Sequence, residues 1–409
     1  MEDRLYYKDQ YLKAFTARLV KQEKDPNGRW YAVLDQTAFY PSGGGQPFDT
    51  GTLNDKNVLE TEEIDGEVRH YLEEPLEDSC KTVEGKINWD RRFDHMQQHA
   101  GQHILTAVFA DHFEISTAAF HLGEEVVSID LDCHDLTQQQ ALAAEEMANQ
   151  IILENRPIET IWPEKSELPK YRLRKAPAVD ENIRLVIIQE LDYNPCGGTH
   201  PRSTSEVGSI KILDWERQKK KIRVYFVCGK RVLTQLHAKQ KVLKDLIGLF
   251  NAPEHGLGAA ARRVVNHGKE LEKSLDELRE QQSRFQAKEL ADNAAEFYSV
   301  KFIGHVYQDQ SIQELQKLAR AVAENTAESV VLLINESNEK LQFVSAKGSA
   351  PSISMKQLCQ SILPWINGKG GGSDTFAQGG GEPVLSGKEF LQRAEEIVKK
   401  ELEKSQICL

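Results

Sequence analysis

Three histidines spaced four residues apart could share a metal ion. His95, His99 and His103 lie in a segment, 90–113, whose apolar residues recur with a helical period. Because an α-helix has 3.6 residues per turn, side chains four positions apart project from nearly the same side, so two of these imidazoles can reach one cation. The spacing does not decide between the His95–His99 pair and the His99–His103 pair.

A second pair of donors lies about a hundred residues later. Cys196 and His200 are separated by three residues, two of them glycine, which permit a tight backbone around an ion. Taken singly, Cys196 is equally explained as a small buried residue, and His200 as a loop histidine with an ordinary hydrogen bond. Together with two helix histidines they provide four nitrogen and sulfur donors, the usual zinc complement. The sequence therefore predicts one zinc ion per chain, in either a closed structural site or one with a position open to water.

The elements that carry these donors indicate an α+β chain of several parts. The first part is predicted to be a β-rich, barrel-like domain with a glycine-rich turn at 40–47. The second is an α+β domain that binds the metal. Leu271, Leu275 and Leu278, at roughly coiled-coil spacing among polar residues, predict a helical linker that faces solvent, a second copy or RNA. A small α/β domain follows. The predicted boundaries of the four parts are 1–89, 90–230, 231–297 and 298–409.

Charge is distributed unevenly along the chain. The 409 residues include 51 basic and 63 acidic ones, a net charge of −12, which by itself argues against a nucleic-acid partner. However, residues 49–84 carry a net charge of −9 and residues 211–245 a net charge of +8. The second segment could contact phosphate or could be an ordinary solvated face. The whole-chain figure therefore does not exclude RNA.

Composition also bears on the compartment. No apolar run approaches the roughly 18 residues of a membrane-spanning helix. The charged N-terminus lacks the apolar core of a secretory signal, and six scattered cysteines do not resemble a disulfide framework. We expect a cytoplasmic protein with no membrane partner.

The motifs resemble one known family. His99-Ala-Gly-Gln-His103-Ile-Leu with Cys196-Gly-Gly-Thr-His200 resembles the paired zinc motifs of the alanyl-tRNA synthetase editing domain and of its freestanding relatives, the AlaX proteins. The stretch 37–51, with Tyr-Pro-Ser-Gly-Gly-Gly-Gln at its centre, is similar to that family's glycine-rich motif. Residues 368–372 and 377–381 resemble the DHH-associated domain of alanyl-tRNA synthetases. The motifs follow the family order over nearly the whole chain, as in the long form of AlaX.

The resemblance selects the metal ligands. In the family, two apolar residues directly follow the second histidine, and here only His103 is followed in this way, by Ile104 and Leu105. It therefore implies the ligands His99, His103, Cys196 and His200. The additional His95 would lie near substrate or behind the ligands. His95 and the stretch 373–376, where the family often carries a basic residue, depart from the pattern without disturbing the zinc motifs.

The resemblance also implies a reaction. The family hydrolyses the ester that joins a wrong amino acid, chiefly serine with glycine as a second candidate, to alanine-specific tRNA. Zinc would polarise the carbonyl or lower the pKa of a water molecule, with Cys196 among the catalytic residues or serving orientation alone. Gln46 is a candidate to donate to substrate or position water, and otherwise a polar loop residue. Thr37 is a candidate to bind a serine hydroxyl, and otherwise an ordinary strand residue.

Two further segments are candidate tRNA contacts. By resemblance, the C-terminal domain binds the body of the tRNA, and its glycines allow a close backbone approach. They lack the order of a nucleotide-binding P-loop, so ATP binding is not expected. A homodimer through the linker or the C-terminal domain is a further expectation. The candidate tRNA-binding residues are Lys219, Lys220, Lys221, Arg223, Lys369, Gly370, Gly371, Gly372, Gly379, Gly380 and Gly381.

Other functions are less consistent with the sequence. A non-catalytic RNA-binding protein stabilised by zinc is the main alternative to a deacylase. An aminoacylating synthetase is not expected, because the editing-like region begins close to the N-terminus and leaves no room for an ATP-using domain before it. A DHH phosphodiesterase is disfavoured because the N-terminal Asp-His-His cluster is missing from the sequence.

Overall fold

The computed structural model describes residues 3–77, 79–177 and 179–407. The chain forms two compact units, residues 1–249 and 250–409. Both units combine helices with sheets, so the predicted α+β, multidomain class is confirmed. The finer division into four parts stays a prediction.

The first unit begins with a short helix, α1 (Leu5–Lys8), and a closed antiparallel barrel in the order β1-β2-β5-β4-β3-β6. Alternate residues of the strands face the interior, as the period of two requires, and bury side chains such as Phe15, Leu34 and Val83. The predicted barrel-like fold is confirmed. The strands are β1 (Ala14–Lys24), β2 (Trp30–Leu34), β3 (Gly51–Leu53), β4 (Lys56–Ile64), β5 (Glu67–Leu72) and β6 (Thr82–Ile87).

The remainder of the first unit surrounds a long helix that starts where the barrel ends. Asn88 caps this helix by accepting from the Arg91 backbone N–H, and the apolar residues beyond His103 pack into the largest hydrophobic core of the unit. The order of its sheets is β12-β13-β8-β7 and β11-β10-β9. Its elements are α2 (Trp89–Phe113), β7 (Thr117–Leu122), β8 (Val127–Leu131), α3 (Gln138–Leu153), β9 (Ile158–Ile161), β10 (Leu185–Ile188), β11 (Asp192–Pro195), β12 (Ile210–Gln218), β13 (Lys221–Cys228) and α4 (Lys230–Phe250).

A buried ion pair joins the glycine-rich segment to the long helix. The guanidinium of Arg92 on α2 donates from Nε to both carboxylate oxygens of Asp49, at 3.0 and 2.9 Å. Both side chains are fully buried, and Arg92 also donates to the backbone carbonyls of Gln10 and Ala38. Burying a charge is costly, and pairing it in this way offsets much of the cost. The pair therefore fixes the loop before β3 against the helix that carries the histidines.

The second unit contains one six-stranded sheet in the order β14-β15-β16-β17-β19-β18. Strands β15 and β16 are parallel and the other neighbours are antiparallel. The glycine-rich segments form the last two strands, and β18 is at the sheet edge. The elements are α5 (Leu257–Asp292), β14 (Ala295–Phe297), β15 (Val300–Gln308), α6 (Ile312–Asn325), β16 (Ser329–Glu336), β17 (Leu341–Lys347), α7 (Met355–Ile362), β18 (Lys369–Gly372), β19 (Phe376–Gly381) and α8 (Gly387–Ile407).

Candidate metal centre

Four donor residues converge in the first unit, and we refer to them as the donor cluster. Their candidate ligand atoms all lie within 4.8 Å of one another. The Cys196 sulfur is 3.5 Å from Nε2 of His99 and 3.5 Å from Nε2 of His200. The three histidines are buried and the cysteine is partly exposed. The donor cluster consists of His99, His103, Cys196 and His200.

The loop after β11 approaches the helix closely because it contains glycine. A Cβ atom on Gly198 would lie 2.3 Å from Cε1 and 2.4 Å from Nδ1 of His99, closer than Cβ atoms approach other atoms in proteins. The loop is also held from the N-terminal segment, where Oε1 of Gln10 accepts a hydrogen bond from the His200 backbone N–H at 2.5 Å. The loop conformation thus depends on residues far away in the sequence.

Each helix histidine is oriented by a partner behind it. Nδ1 of His99 is 3.1 Å from Oε1 of Gln46, and that oxygen also accepts from the Thr199 backbone N–H. Since Nε2 of Gln46 donates to the Thr199 hydroxyl at 2.8 Å, the oxygen must be the acceptor for His99. Nδ1 of His103 is 2.6 Å from Oδ2 of Asp192. Both imidazoles therefore carry a hydrogen on Nδ1, so that each ring, when neutral, can bind a metal through Nε2.

The charges of the donor cluster depend on one another. Burial opposes ionisation of the Cys196 thiol, but the charge of His99 and hydrogen bonds from His103 and His200 outweigh it and bring its pKa well below the ordinary value. Burial also opposes the imidazolium of His103, but hydrogen bonds to Asp192 and Cys196 raise its pKa to about 9. Burial and the charge of His99 lower the pKa of His200 to about 3. A dication can replace the shared protons, because metal binding requires a thiolate and neutral imidazoles.

The donor cluster fits a metal ion by independent observations. Three imidazole nitrogens and one thiolate form a donor set typical of zinc. Nε2 of His200 and Nε2 of His99 each lie 3.5 Å from the Cys196 sulfur, so the donor atoms of three residues already face one another. Hydrogen-bonded partners behind the ligands are a regular feature of metal sites. The cluster could therefore hold a metal ion.

Comparisons with known proteins identify the family. Two family models match, "Threonyl and Alanyl tRNA synthetase second additional domain" over residues 183–225 and "DHHA1 domain" over residues 297–400. The chain is 32% identical to "Alanyl-tRNA editing protein AlaX-L" of Pyrococcus horikoshii, over 93% of this chain and 94% of that protein. The chain belongs to the alanyl-tRNA editing protein family. The resemblance stated from the motifs is confirmed.

Other relatives cover different shares of their own length. The chain is 31% identical to "Alanine--tRNA ligase" of Thermococcus kodakarensis, over 96% of this chain but 43% of the ligase. It is 34% identical to "Alanyl-tRNA editing protein Aarsd1" of Bos taurus, over 65% of this chain and 64% of that protein. Among solved structures, it matches the C-Ala domain of Aquifex aeolicus alanyl-tRNA synthetase at 22% identity and a TM-score of 0.25, over 26% of this chain and 98% of that one.

The remaining predicted site residues of this chain have different surroundings. Gln46 lies at the donor cluster with its polar atoms engaged by His99 and Thr199. Thr37 follows β2, outside the barrel strands, and its hydroxyl is 2.8 Å from Nε2 of His70 and accepts from the Phe39 backbone N–H. Within the described ranges, no hydrogen bond joins Thr37 to the donor cluster. The catalytic roles of both residues stay predictions.

The predicted tRNA contacts lie on two hairpins. Lys219 and Lys220 form the exposed turn between β12 and β13, whereas Arg223 donates to both oxygens of Asp130 at 2.6 and 2.9 Å. Lys221, the first residue of β13, is partly buried. In the second unit, Lys369 and the six predicted glycines form most of the β18–β19 hairpin, and β18 is fully exposed. The structure therefore presents an exposed basic turn and an exposed glycine edge.

Several residues at the centre were missed by the sequence interpretation. Asp192 is hydrogen-bonded to His103, and Gln10 accepts from the His200 backbone N–H. Phe120 stacks on the His99 ring with centroids 5.3 Å apart. The sequence contains one weak indication of Asp192, because two polar residues, Asp192 and Asn194, occupy the alternate positions of β11 that are buried. Spacing along the chain gives no such signal for Gln10, which lies 190 residues before its partner.

None of the helices within the described ranges combines the length and apolar character needed to cross a membrane.

Proposed function

We propose that this chain is a trans-acting deacylase that hydrolyses the ester of alanine-specific tRNA charged with serine, with glycine as a second substrate. The observation that supports this proposal most is that four residues able to hold a metal ion converge in a member of the alanyl-tRNA editing protein family. The relative that matches over 94% of its length is named for editing alanyl-tRNA, which supports the same reaction class here. The proposed location, the cytoplasm, is where charged tRNA is used.

We propose zinc as the metal, bound by Nε2 of His99, His103 and His200 and by the sulfur of Cys196. When bound, zinc would supply a Lewis acid that polarises the ester carbonyl or makes a water molecule more acidic. Gln46 acts by holding His99 and the Thr199 backbone in place, since both ends of its amide are engaged there. Asp192 holds His103, and Thr37 is the proposed partner of the serine hydroxyl.

tRNA binding is proposed for the two hairpins. Lys219 and Lys220 are exposed at a tight turn, so their ammonium groups can approach phosphate without breaking an ion pair. Arg223 is already bound to Asp130, so we propose that it supports the hairpin more than it contacts RNA. Lys369 and the adjoining glycines would contact the tRNA body along the open edge of β18.

A non-catalytic, zinc-stabilised RNA-binding protein is the second candidate. It is favoured by the burial of the three histidines, each 4% exposed or less, which resembles a closed structural site. The partial exposure of Cys196 favours the deacylase, because a reacting ester needs access to the centre.

One experiment separates the two candidates. The purified chain is incubated with alanine-specific tRNA carrying serine, glycine or alanine, and the remaining ester is measured over time. We expect loss of the seryl ester, retention of the alanyl ester, and no activity with His103→Ala or a chelator. His112→Ala is the matched control, because His112 lies on the same helix but is exposed. Seryl-tRNA that persists as in buffer, with tRNA binding intact, would leave only the RNA-binding candidate.

A further inference from the structure

Arg184 lies directly behind the loop that carries two of the four donors. It precedes β10, and its backbone carbonyl accepts from the Cys196 N–H at 3.1 Å. Its side chain is buried, at 5% exposure, and one terminal nitrogen, Nη1, donates to the carbonyls of Cys196 and Gly198 at 2.7 and 2.8 Å. One guanidinium thus holds the loop at two points on either side of Gly197.

The charge of this guanidinium has no conventional partner. Across residues 3–77, 79–177 and 179–407, no carboxylate lies within ion-pair distance of Arg184, and its Nε and Nη2 atoms are buried without hydrogen bonds. Burying an unpaired cation costs several kcal/mol in effective terms. The structure must therefore place compensating negative charge or π-electron density close to it.

Two kinds of neighbour could compensate the charge. The ring of Tyr7 faces the guanidinium with its centroid 5.1 Å from Cζ, a cation–π contact. Burial raises the pKa of Tyr7 and of Tyr40, so their hydroxyls stay neutral. Cys196 differs from them because a cysteine that binds a metal does so as a thiolate. However, a divalent ion bound by one thiolate and three neutral imidazoles leaves the centre with a net positive charge, so the contribution of Arg184 lies in its hydrogen bonds to the loop.

We propose that Arg184 is a positioning residue of the metal centre, which fixes the Cys196–His200 loop in its ligating conformation through its hydrogen bonds to the Cys196 and Gly198 carbonyls. This inference rests on the metal centre of the proposed function. It concerns how tightly the donor cluster binds a metal, so it can be tested without any tRNA. The residue that carries it lies outside the motifs recognised in the sequence.

The test is metal affinity in four variants of the full chain. Zn²⁺ affinity is measured by competition with a chromophoric chelator, and Co²⁺ is bound separately to record the thiolate-to-cobalt absorption band. Arg184→Met removes the donors, Arg184→Gln keeps amide donors on a shorter side chain, and Arg184→Lys keeps a charged donor on a side chain of similar length. Arg69→Met is the matched control, because Arg69 also has an unbonded Nε and covers a tyrosine ring, at 4.7 Å from the Tyr31 centroid in the barrel.

We expect Arg184→Met and Arg184→Gln to weaken Zn²⁺ binding by about 10- to 100-fold and to shift the cobalt band, as for other partners behind metal ligands. Arg184→Lys should recover most of the loss, and Arg69→Met should match the parent. Circular dichroism of the metal-free variants checks folding, and Arg184→Gln carries the test if the methionine variant does not fold. Parental affinity in a folded neutral variant would overturn the inference, as would an Arg184→Lys variant as weak as Arg184→Gln. A parent chain that binds neither metal would instead refute the proposed metal centre.

Discussion

His103 and Asp192 form a buried pair in which Nδ1 of the imidazole lies 2.6 Å from Oδ2 of the carboxylate. The other oxygen of Asp192 accepts from Nε of Arg174 at 2.7 Å, and Arg174 also binds Asp111 nearer the surface. The four side chains form a continuous chain from solvent to the donor cluster. Such a chain fixes both the ring orientation and the tautomer of a metal ligand.

Replacing Asp192 should therefore weaken metal binding. We expect Asp192→Asn to lower Zn²⁺ affinity by about 10- to 100-fold, because His103 loses its anionic acceptor. Asp111→Asn is the matched control, since it removes an exposed ion pair worth about 0–1 kcal/mol from the same arginine. Affinity is measured by chelator competition. Equal effects of the two substitutions would contradict a specific role for the His103–Asp192 pair.

Replacing Thr37 tests two roles at once. In Thr37→Val the buried Nε2 of His70 loses its hydroxyl donor, so we expect the free energy of unfolding to fall by about 1–3 kcal/mol. We also expect a lower ratio of seryl to alanyl ester hydrolysis, since the serine hydroxyl would lose its proposed partner. Thr37→Ser keeps the hydroxyl and should preserve both quantities. Lower stability with an unchanged ratio of seryl to alanyl ester hydrolysis would leave Thr37 with a structural role only.

The barrel should lose stability in mild acid because of His70. Burial lowers its pKa from 6.5 to about 4, and its Nδ1 lies 3.0 Å from the Ala32 carbonyl. Between these pH values the unfolded chain binds the extra proton, so the stabilisation is complete above pH 6.5 and is lost as the pH falls towards 4. The loss is on the order of 3 kcal/mol. We expect His70→Gln, which keeps a donor and an acceptor, to show a shallower fall when unfolding is measured across this range, and an equally steep fall would exclude His70 as the cause.

The basic turn should contribute to the salt dependence of tRNA binding. We expect Lys219→Ala with Lys220→Ala to weaken binding and to reduce the slope of log K against log salt by about 0.9 for each duplex phosphate that these lysines neutralise in the parent. Lys56→Ala with Lys81→Ala, in the acidic barrel segment, is the control and should leave the slope unchanged. The slope is measured by filter binding of tRNA at several salt concentrations. Identical slopes in both double variants would remove this turn from the tRNA interface.

Two adjacent glycines of β18 should separate folding from binding. A Cβ atom on Gly370 would lie 2.3 Å from the Gln378 carbonyl oxygen, so Gly370→Ala should lower stability. A Cβ atom on Gly371 would meet nothing within 4 Å, so Gly371→Ala should fold normally. If tRNA approaches this edge closely, the added methyl group should weaken tRNA binding, measured by filter binding. Parental affinity in Gly371→Ala would argue against close approach there.

Local patterns in the sequence predicted the elements around the donors well. The helical period indicated a helix over 90–113, and the structure has Trp89–Phe113. Thr137 and Gln140, three residues apart, form the capping box at the start of α3, another locally determined feature. Four-residue spacing brought His99 and His103 to one face because helix geometry is local. The resemblance to a known family was needed to choose between histidine pairs.

The supporting residues could not be predicted because they depend on tertiary contacts. Arg184 is an ordinary basic residue in sequence, and its importance arises only when β10 brings it behind the loop at Cys196. The contact of Thr37 with His70, at 2.8 Å, was equally inaccessible to sequence, because the two residues lie 33 positions apart. Net charge likewise averaged over an acidic barrel and an exposed basic turn.

The long sequence separation within the donor cluster has a consequence for biosynthesis. His99 and Cys196 are 97 residues apart. The backbone N–H of His200 donates a hydrogen bond to Gln10, which lies 190 residues earlier in the chain. At about 5–20 residues per second, a ribosome needs roughly 5–20 s to add the intervening stretch between the first two donors and the last two. During that interval His99 and His103 have been made without Cys196 and His200. The donor cluster is complete only after about half of the polypeptide has been made.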